Sequence, residues 1–204
     1  MAKQEKYNKI LHALKELLET IELSTISVSE IAQTAGIGKG SIYYYFSSKD
    51  AILEALVARS YKEPLNTAKQ LAEQTDISPF TRMAMIFQAC RNSSAAFLKT
   101  EIGSGTAAQE KAFLHQKYLK YLITELKPVL TEIIKQGTRT GLITCERPDA
   151  LAEIVLIVLT VKLDNTLVPS ERNEIENTIR GLIALLEKGT KNPKASLNLL
   201  MEEL

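Results

Sequence analysis

Glycine and proline are scarce, nine and six among 204 residues, while Leu, Ile, Ala, Glu and Lys abound. So small a supply of turn-forming residues excludes a turn-rich sheet architecture and favours long helices, so the expected class is all-α. An excess of one charge is lacking too. The 25 Lys and Arg against 24 Asp and Glu leave a net +1, so any nucleic-acid site has to be local. Cysteine is nearly absent, with Cys90 and Cys145 far apart. Neither has a second thiol or a histidine at ligand spacing, which excludes a disulfide framework and a metal site and suits a reducing, cytoplasmic setting. No run of about 18 residues is free of charge, and Met1 to Asn8 is polar, without the apolar core of a signal peptide. A membrane partner is therefore not expected.

What is present is helical periodicity. Ile10, Leu11, Leu14, Leu17, Leu18 and Ile21 recur at helix spacing with Lys and Glu between them, predicting an amphipathic first helix. Ser27-Val28-Ser29-Glu30 fits a capping box and starts a short second helix that carries Ile31 and Ala35 inward. Gly36 stands where a left-handed residue would end it. A third helix follows within a few residues, with Ile42 and Phe46 on one face. Ser47-Ser48-Lys49-Asp50 then stops it and caps a fourth helix through Ile52, Leu53, Leu56 and Val57. Pro64 reads as a kink or boundary and Asp76-Ile77-Ser78-Pro79 as a cap with proline in the first turn. Further helices are expected over about 79 to 99, 108 to 136 (interruptible at Pro128), 148 to 165 and 171 to 188, with loops at 103–105, 137–141 and 168–170. Leu197, Leu200, Met201 and Leu204 suit a short terminal helix. The domain boundary falls near residues 47 to 64, dividing the chain into 1–47 and 48–204.

Two short helices joined by a glycine-bearing turn and braced by a first helix have the layout of a helix-turn-helix. The third helix sharpens this reading. At about 100° per residue, Ile42 and Phe46 pointing inward send Gly40 and Tyr44 outward and Tyr43 to one flank. Three consecutive tyrosines cannot all enter one core. Their hydroxyls suit phosphate oxygens and their rings suit thymine methyls. Gly40 costs roughly 1 kcal/mol of helix propensity, tolerable where a backbone must approach a ligand closely. Lys39 and Lys49 flank the surface near helix N-termini, a placement favourable against phosphate.

Ile31-Ala32, Ala35-Gly36-Ile37, Lys39-Gly40-Ser41-Ile42-Tyr43-Tyr44-Tyr45-Phe46 and Ser48-Lys49 resemble the DNA-binding signature of the TetR family, a likeness that covers roughly residues 10 to 56. The resemblance implies that the third helix enters the major groove of operator DNA with Lys39, Gly40 and Tyr43 near base edges, Ser41 within the same signature, and Ser27, Tyr44, Tyr45 and Lys49 on phosphates. It also implies a homodimer and a repressor released by a small apolar or aromatic effector. The alternative is a DNA-binding dimer governed by a protein partner, or by nothing. A helical carrier of apolar molecules without a DNA role is a third reading. This sequence departs from the pattern in having Gly38 where a Ser or Thr cap is usual, Tyr45 where His is common, and Glu22 where a glycine often ends the first helix. Residues 1 to 61 hold seven basic side chains (Lys3, Lys6, Lys9, Lys15, Lys39, Lys49, Arg59) and seven acidic ones (Glu5, Glu16, Glu19, Glu22, Glu30, Asp50, Glu54), so segregation rather than net charge has to favour DNA.

In the second domain Met83, Phe87 and Phe97 share a stripe with Cys90. This is either plain core or the wall of a pocket in which Arg91 and His115 are polar anchors and Phe113, Tyr118 and Tyr121 are further walls. The run Ile154 to Leu159 is apolar on every side. With the stripe Ile175, Ile179, Leu182, Ile183 and Leu186 it predicts that the helices from Pro148 and from Glu171 make the dimer interface, and the resemblance implies that they do so as a four-helix bundle. No catalytic residue, cofactor or metal is expected: Cys90 has no base, and neither His12 nor His115 belongs to a nucleophile motif.

Overall fold

The computed structural model describes residues 2–97, 108–164, 168–192, 194 and 197–201. Its helices are α1 (Ala2–Leu18), α2 (Val28–Thr34), α3 (Lys39–Tyr45), α4 (Lys49–Glu73), α5 (Pro79–Ala96), α6 (Ala108–Arg139), α7 (Pro148–Asp164) and α8 (Arg172–Gly189), followed by a 3-10 turn at Asn198–Met201. Among the described residues there is no strand, as the composition requires, and no helix is long and apolar enough to cross a membrane. The loop expected at 103–105, the far ends of the helices read to 99 and 165, and Leu204 lie outside the described residues.

The chain packs as two compact units, Met1–Tyr61 with Ala95–Tyr118 and Lys62–Ser94 with Leu119–Leu204. This grouping does not follow chain order, since α4 and α6 each supply residues to both units. In the first unit Ile10, Leu14, Leu18, Ile31, Ile42 and Ile52 are buried. In the second, Ile86, Leu122, Leu130, Ile133, Leu156 and Ile179 are.

Both prolines expected to mark boundaries stand inside continuous helices, Pro64 in α4 and Pro128 in α6. A proline in a helix interior costs about 3 kcal/mol. Here the apolar stripe continues on both sides, through Leu126, Val129, Leu130 and Ile133 around Pro128, so packing keeps the helix intact. Gly137 likewise belongs to α6 rather than to a loop. A Cβ there would stand 2.6 Å from Ile143 Cδ1 and 3.1 Å from Pro79 Cγ, so the glycine lets the returning chain pack against the helix. The turn itself comes at Gly141, whose φ of 76° is open to glycine at no steric cost, with the Leu142 N–H donating to the Gly137 carbonyl. Within the expected cap segment Ser78 caps α5: its hydroxyl accepts from the Thr81 N–H at 3.1 Å, and Pro79 takes the first helical position.

The second unit is pinned by an arginine that, among the described residues, has no carboxylate at hydrogen-bond distance. Arg82 is only 2% exposed. Its Nη1 donates to the Ala72 carbonyl at 3.0 Å and to Gln136 Oε1 at 2.7 Å, and Gln136 Nε2 also donates to Ala72 O at 3.2 Å. Ala72 lies in the last turn of α4, where carbonyls lack helical partners and a cation meets the negative end of the dipole. One guanidinium thus ties α5 to the ends of α4 and α6. Burial holds it below the ordinary arginine range and Asp76 partly offsets that. Arg82 Nε has no acceptor among the described residues.

Replacing Arg82 with Ala should lower unfolding free energy by about 2–4 kcal/mol, from the lost charge-assisted bonds and the void left behind. Denaturant titration measures this, and a loss under about 0.5 kcal/mol would show that the charge's own desolvation cancels its bonds.

Candidate nucleic-acid interface

The head begins with a turn that no glycine makes. α1 ends at Leu18, before Glu22, and the Glu22 carbonyl accepts from the Thr25 N–H at 3.1 Å and the Thr25 hydroxyl at 2.9 Å. The glycine missing at this position is thereby replaced by a turn further on. The predicted capping box is present at α2. The Glu30 N–H donates to Ser27 Oγ at 3.2 Å and the Ser27 N–H to Glu30 Oε2 at 2.7 Å. Ser27 is exposed, and its hydroxyl proton is left to donate outward.

Gly36 ends α2 at φ 63°, with the Ile37 N–H reaching the Ala32 carbonyl and the Gly36 N–H the Gln33 carbonyl, the paired bonds of a Schellman turn. Gly38 caps α3 without a side-chain bond. That leaves the first N–H groups of α3 without side-chain partners.

Ile42 on α3 and Phe46 at its C-cap are buried, while Tyr43 is 52% exposed and Tyr44 70%. Lys39 and Gly40 are exposed, Ser41 half-buried. A Cβ on Gly40 would meet nothing within 4 Å, so the fold itself does not require glycine there. Tyr45 is half-buried. Its ring meets Tyr44 edge-on at 5.0 Å and Tyr7 at 6.5 Å, while Tyr7 also packs on Phe46 at 5.0 Å. Lys3 Nζ sits 5.5 Å from the centre of the Tyr44 ring, bringing a cation to the tyrosine face that spacing alone did not reveal.

Lys49 differs from the sequence expectation in what it touches. Its Nζ donates to the carbonyls of Leu23 (2.8 Å), Ile26 (2.9 Å) and Ser24 (3.5 Å), so it fastens the chain leading into α2. Glu30 is held below its usual 4.5, first by the Ser27 side-chain and backbone hydrogen bonds and then by the charge of Lys49.

The residues read as pocket walls fall into three groups. Phe97, His115 and Tyr118 are buried and stacked in the first unit, with Phe97 and Tyr118 4.8 Å apart at 17°. Met83 and Phe87 line an apolar cavity of about 40 Å3 in the second unit, with Phe80, Ile134, Leu151, Leu186 and Leu197. Arg91 is exposed, Phe113 is 48% exposed beneath Lys117, and Tyr121 is half-buried beside Lys120. Those three therefore reach solvent, since residues on one long helix stripe need not share one neighbour. Burial pushes the Cys90 thiol up to about 12, which keeps it protonated and unreactive at neutral pH.

These features define a helix-turn-helix head joined to a larger helical body. Residues 10–56 match the model of bacterial regulatory proteins of the tetR family, and residues 100–184 match a tetracycline-repressor-like C-terminal domain. The chain belongs to the tetR family, whose members are regulators rather than enzymes. Over 64 residues it is 38% identical to the uncharacterised HTH-type transcriptional regulator YvdT of Bacillus subtilis, covering 31% of this chain and 33% of that one. Over 64 residues it is 39% identical to EthR of Mycobacterium tuberculosis, covering 31% and 30%. The match thus spans about a third of the length of these relatives. In fold, the chain is similar to RolR solved with resorcinol (TM-score 0.58, 18% identity, 100% of this chain and 95% of that one). It is also similar to FadR of Bacillus subtilis solved with stearoyl-CoA (TM-score 0.56, 18% identity, 90% and 98%).

The depressed Glu30 carboxyl sets a pH signature. A carboxylate favoured by folding contributes stability that is complete above its unfolded value and is lost as pH falls through the lower folded one. Wild type should therefore lose more stability than Glu30→Gln between about pH 5 and pH 3. Parallel denaturation curves for the two would rule out the capping-box contribution.

Proposed function

We propose that the protein is a homodimeric transcriptional regulator that reads a pseudo-palindromic operator with α3 of each protomer, and that it is a repressor released by a small apolar or aromatic effector. The observation that carries the DNA reading is the outward display of Lys39, Gly40, Tyr43 and Tyr44 on a helix whose opposite side is locked by Ile42 and Phe46. Gly40 permits close approach. Tyr43 and Lys39 address base edges. Ser27, Ser41, Tyr44 and Tyr45 supply hydroxyls to the duplex, with Lys3 as an added cation, while Lys49 holds the segment leading into α2. A cytoplasmic location goes with this role.

Two-fold pairing is supported by apolar side chains left in solvent on α7 and α8. Ile154 is 54%, Ile157 46% and Leu185 71% exposed, and Gly181 and Ala184 beside Leu185 allow close helix approach. Of the α8 residues named from the sequence, Ile179, Leu182 and Ile183 are instead buried within the protomer and Ile175 and Leu186 are half-buried, so Leu185 is the better probe of pairing.

The effector reading rests on the apolar cavity at Met83 and Phe87 and on the Phe97–His115–Tyr118 stack. The cavity's size favours a second reading. About 40 Å3 is well below the roughly 150 Å3 that holds a benzene, so an effector has to widen it, and a dimer governed by a protein partner is the alternative.

Binding to duplexes from upstream of the coding region tests the reading. Tyr43→Ala should cut preference for the cognate site about tenfold, while Tyr44→Ala should weaken every duplex alike. Unchanged affinities for both variants would sink the assignment. Leu185→Asp should give a folded monomer in sedimentation, and an intact dimer would place the interface elsewhere.

A further inference from the structure

Glu110 stands in the first turn of α6, yet its carboxylate is spent on the head, 87 residues away in sequence from Leu23. One oxygen accepts from the Leu23 N–H at 2.8 Å and the other from the Ser24 N–H at 2.9 Å. From the opposite side Lys49 takes the carbonyls of Leu23, Ser24 and Ile26. Both polar groups of Leu23 and of Ser24 are thus held, between an anion and a cation, on a stretch without helical bonds of its own. Leu23 and Ile26 are buried beneath it while Ser24 is exposed. All of these residues belong to one compact unit. The segment runs directly into Ser27, the cap of α2.

We infer that Glu110 is a positioning residue for DNA binding: it holds the segment 23–26 so that Ser27 and the start of α2 are presented at fixed register to the phosphate backbone. The inference rests on the DNA-binding reading. Electrostatics alone predicts the opposite sign, because a carboxylate near a phosphate-facing surface repels the duplex. Two charge-assisted bonds to backbone N–H groups hold that carboxylate against the loop, and ordering the loop before binding removes an entropy cost from association that outweighs the repulsion. Because Glu110 is in the first turn of α6, the register of segment 23–26 is tied to the start of that helix.

The test uses the full chain, with Glu110→Gln as the main variant, since it keeps shape and one acceptor, and Glu110→Ala beside it. Wild type and variants are compared by amide hydrogen exchange at Leu23 and Ser24, and by affinity for the cognate and an unrelated duplex. The expected result is faster exchange at those two amides, an unchanged far-ultraviolet helical signal, and affinity for both duplexes about tenfold weaker with the ratio between them preserved. A merely structural role would accelerate exchange throughout the head, and that overturns the inference. Unaltered exchange at the two amides, or affinity equal to or tighter than wild type, overturns it as well. A wild type that binds no duplex overturns the DNA reading instead, a failure distinct from normal binding by the variants.

Discussion

A helix of seven residues does not hold itself together in water, so α3 exists because Ile42 and Phe46 are buried. Everything the head presents follows from that anchoring. With two positions on one side fixed by the core, the helical period turns Gly40, Tyr43 and Tyr44 away from it. The left-handed turn at Gly36 sets the angle at which α3 leaves α2. An exposed tyrosine face would be a solubility liability on a protein with no partner. Here it is ordered, with the Tyr45 ring against both Tyr44 and Tyr7 and Lys3 over the Tyr44 ring.

Charge is used sparingly and locally. The head has no basic excess, and its lysines do different jobs: Lys39 is exposed on α3, whereas Lys49 is engaged with three backbone carbonyls. Glu110 and Glu30 work the same way, accepting backbone N–H groups rather than pairing with a cation at the surface. In the second unit, Arg82 caps a helix end instead of meeting a carboxylate. The organising polar contacts are thus between side-chain charges and peptide groups. Such contacts are directional, and each also satisfies a backbone group that would otherwise lack a partner, which an exposed ion pair such as Lys9–Glu5 does not do.

The relatives and structural neighbours differ in how far they inform this chain. The curated relatives align over 64 residues, about the length of the head, while the solved structures align almost throughout at under a fifth identity. A DNA-reading surface is constrained by a fixed polymer geometry, whereas a helical body keeps its packing with many different side chains. The fold of the body is accordingly shared at under a fifth identity.

The sequence by itself determined the helical class, the capping box at Ser27, the glycine turn at Gly36 and the outward face of α3, because each depends on near neighbours and on the helical period. Local spacing said nothing of how compactness groups residues 95–118 with the head. Nor did it say that α4 and α6 would run through Pro64 and Pro128, where tertiary burial outweighs a local proline penalty. Only the tertiary structure divided the aromatic stripe into a stack, a cavity and an exposed remainder. It also turned Leu182 inward and Leu185 outward, and it brought Glu110 and Arg82 to carbonyls and N–H groups far from them in sequence. Those pairings depend on which helices meet, and a helical period specifies the face that is buried without specifying what lies against it.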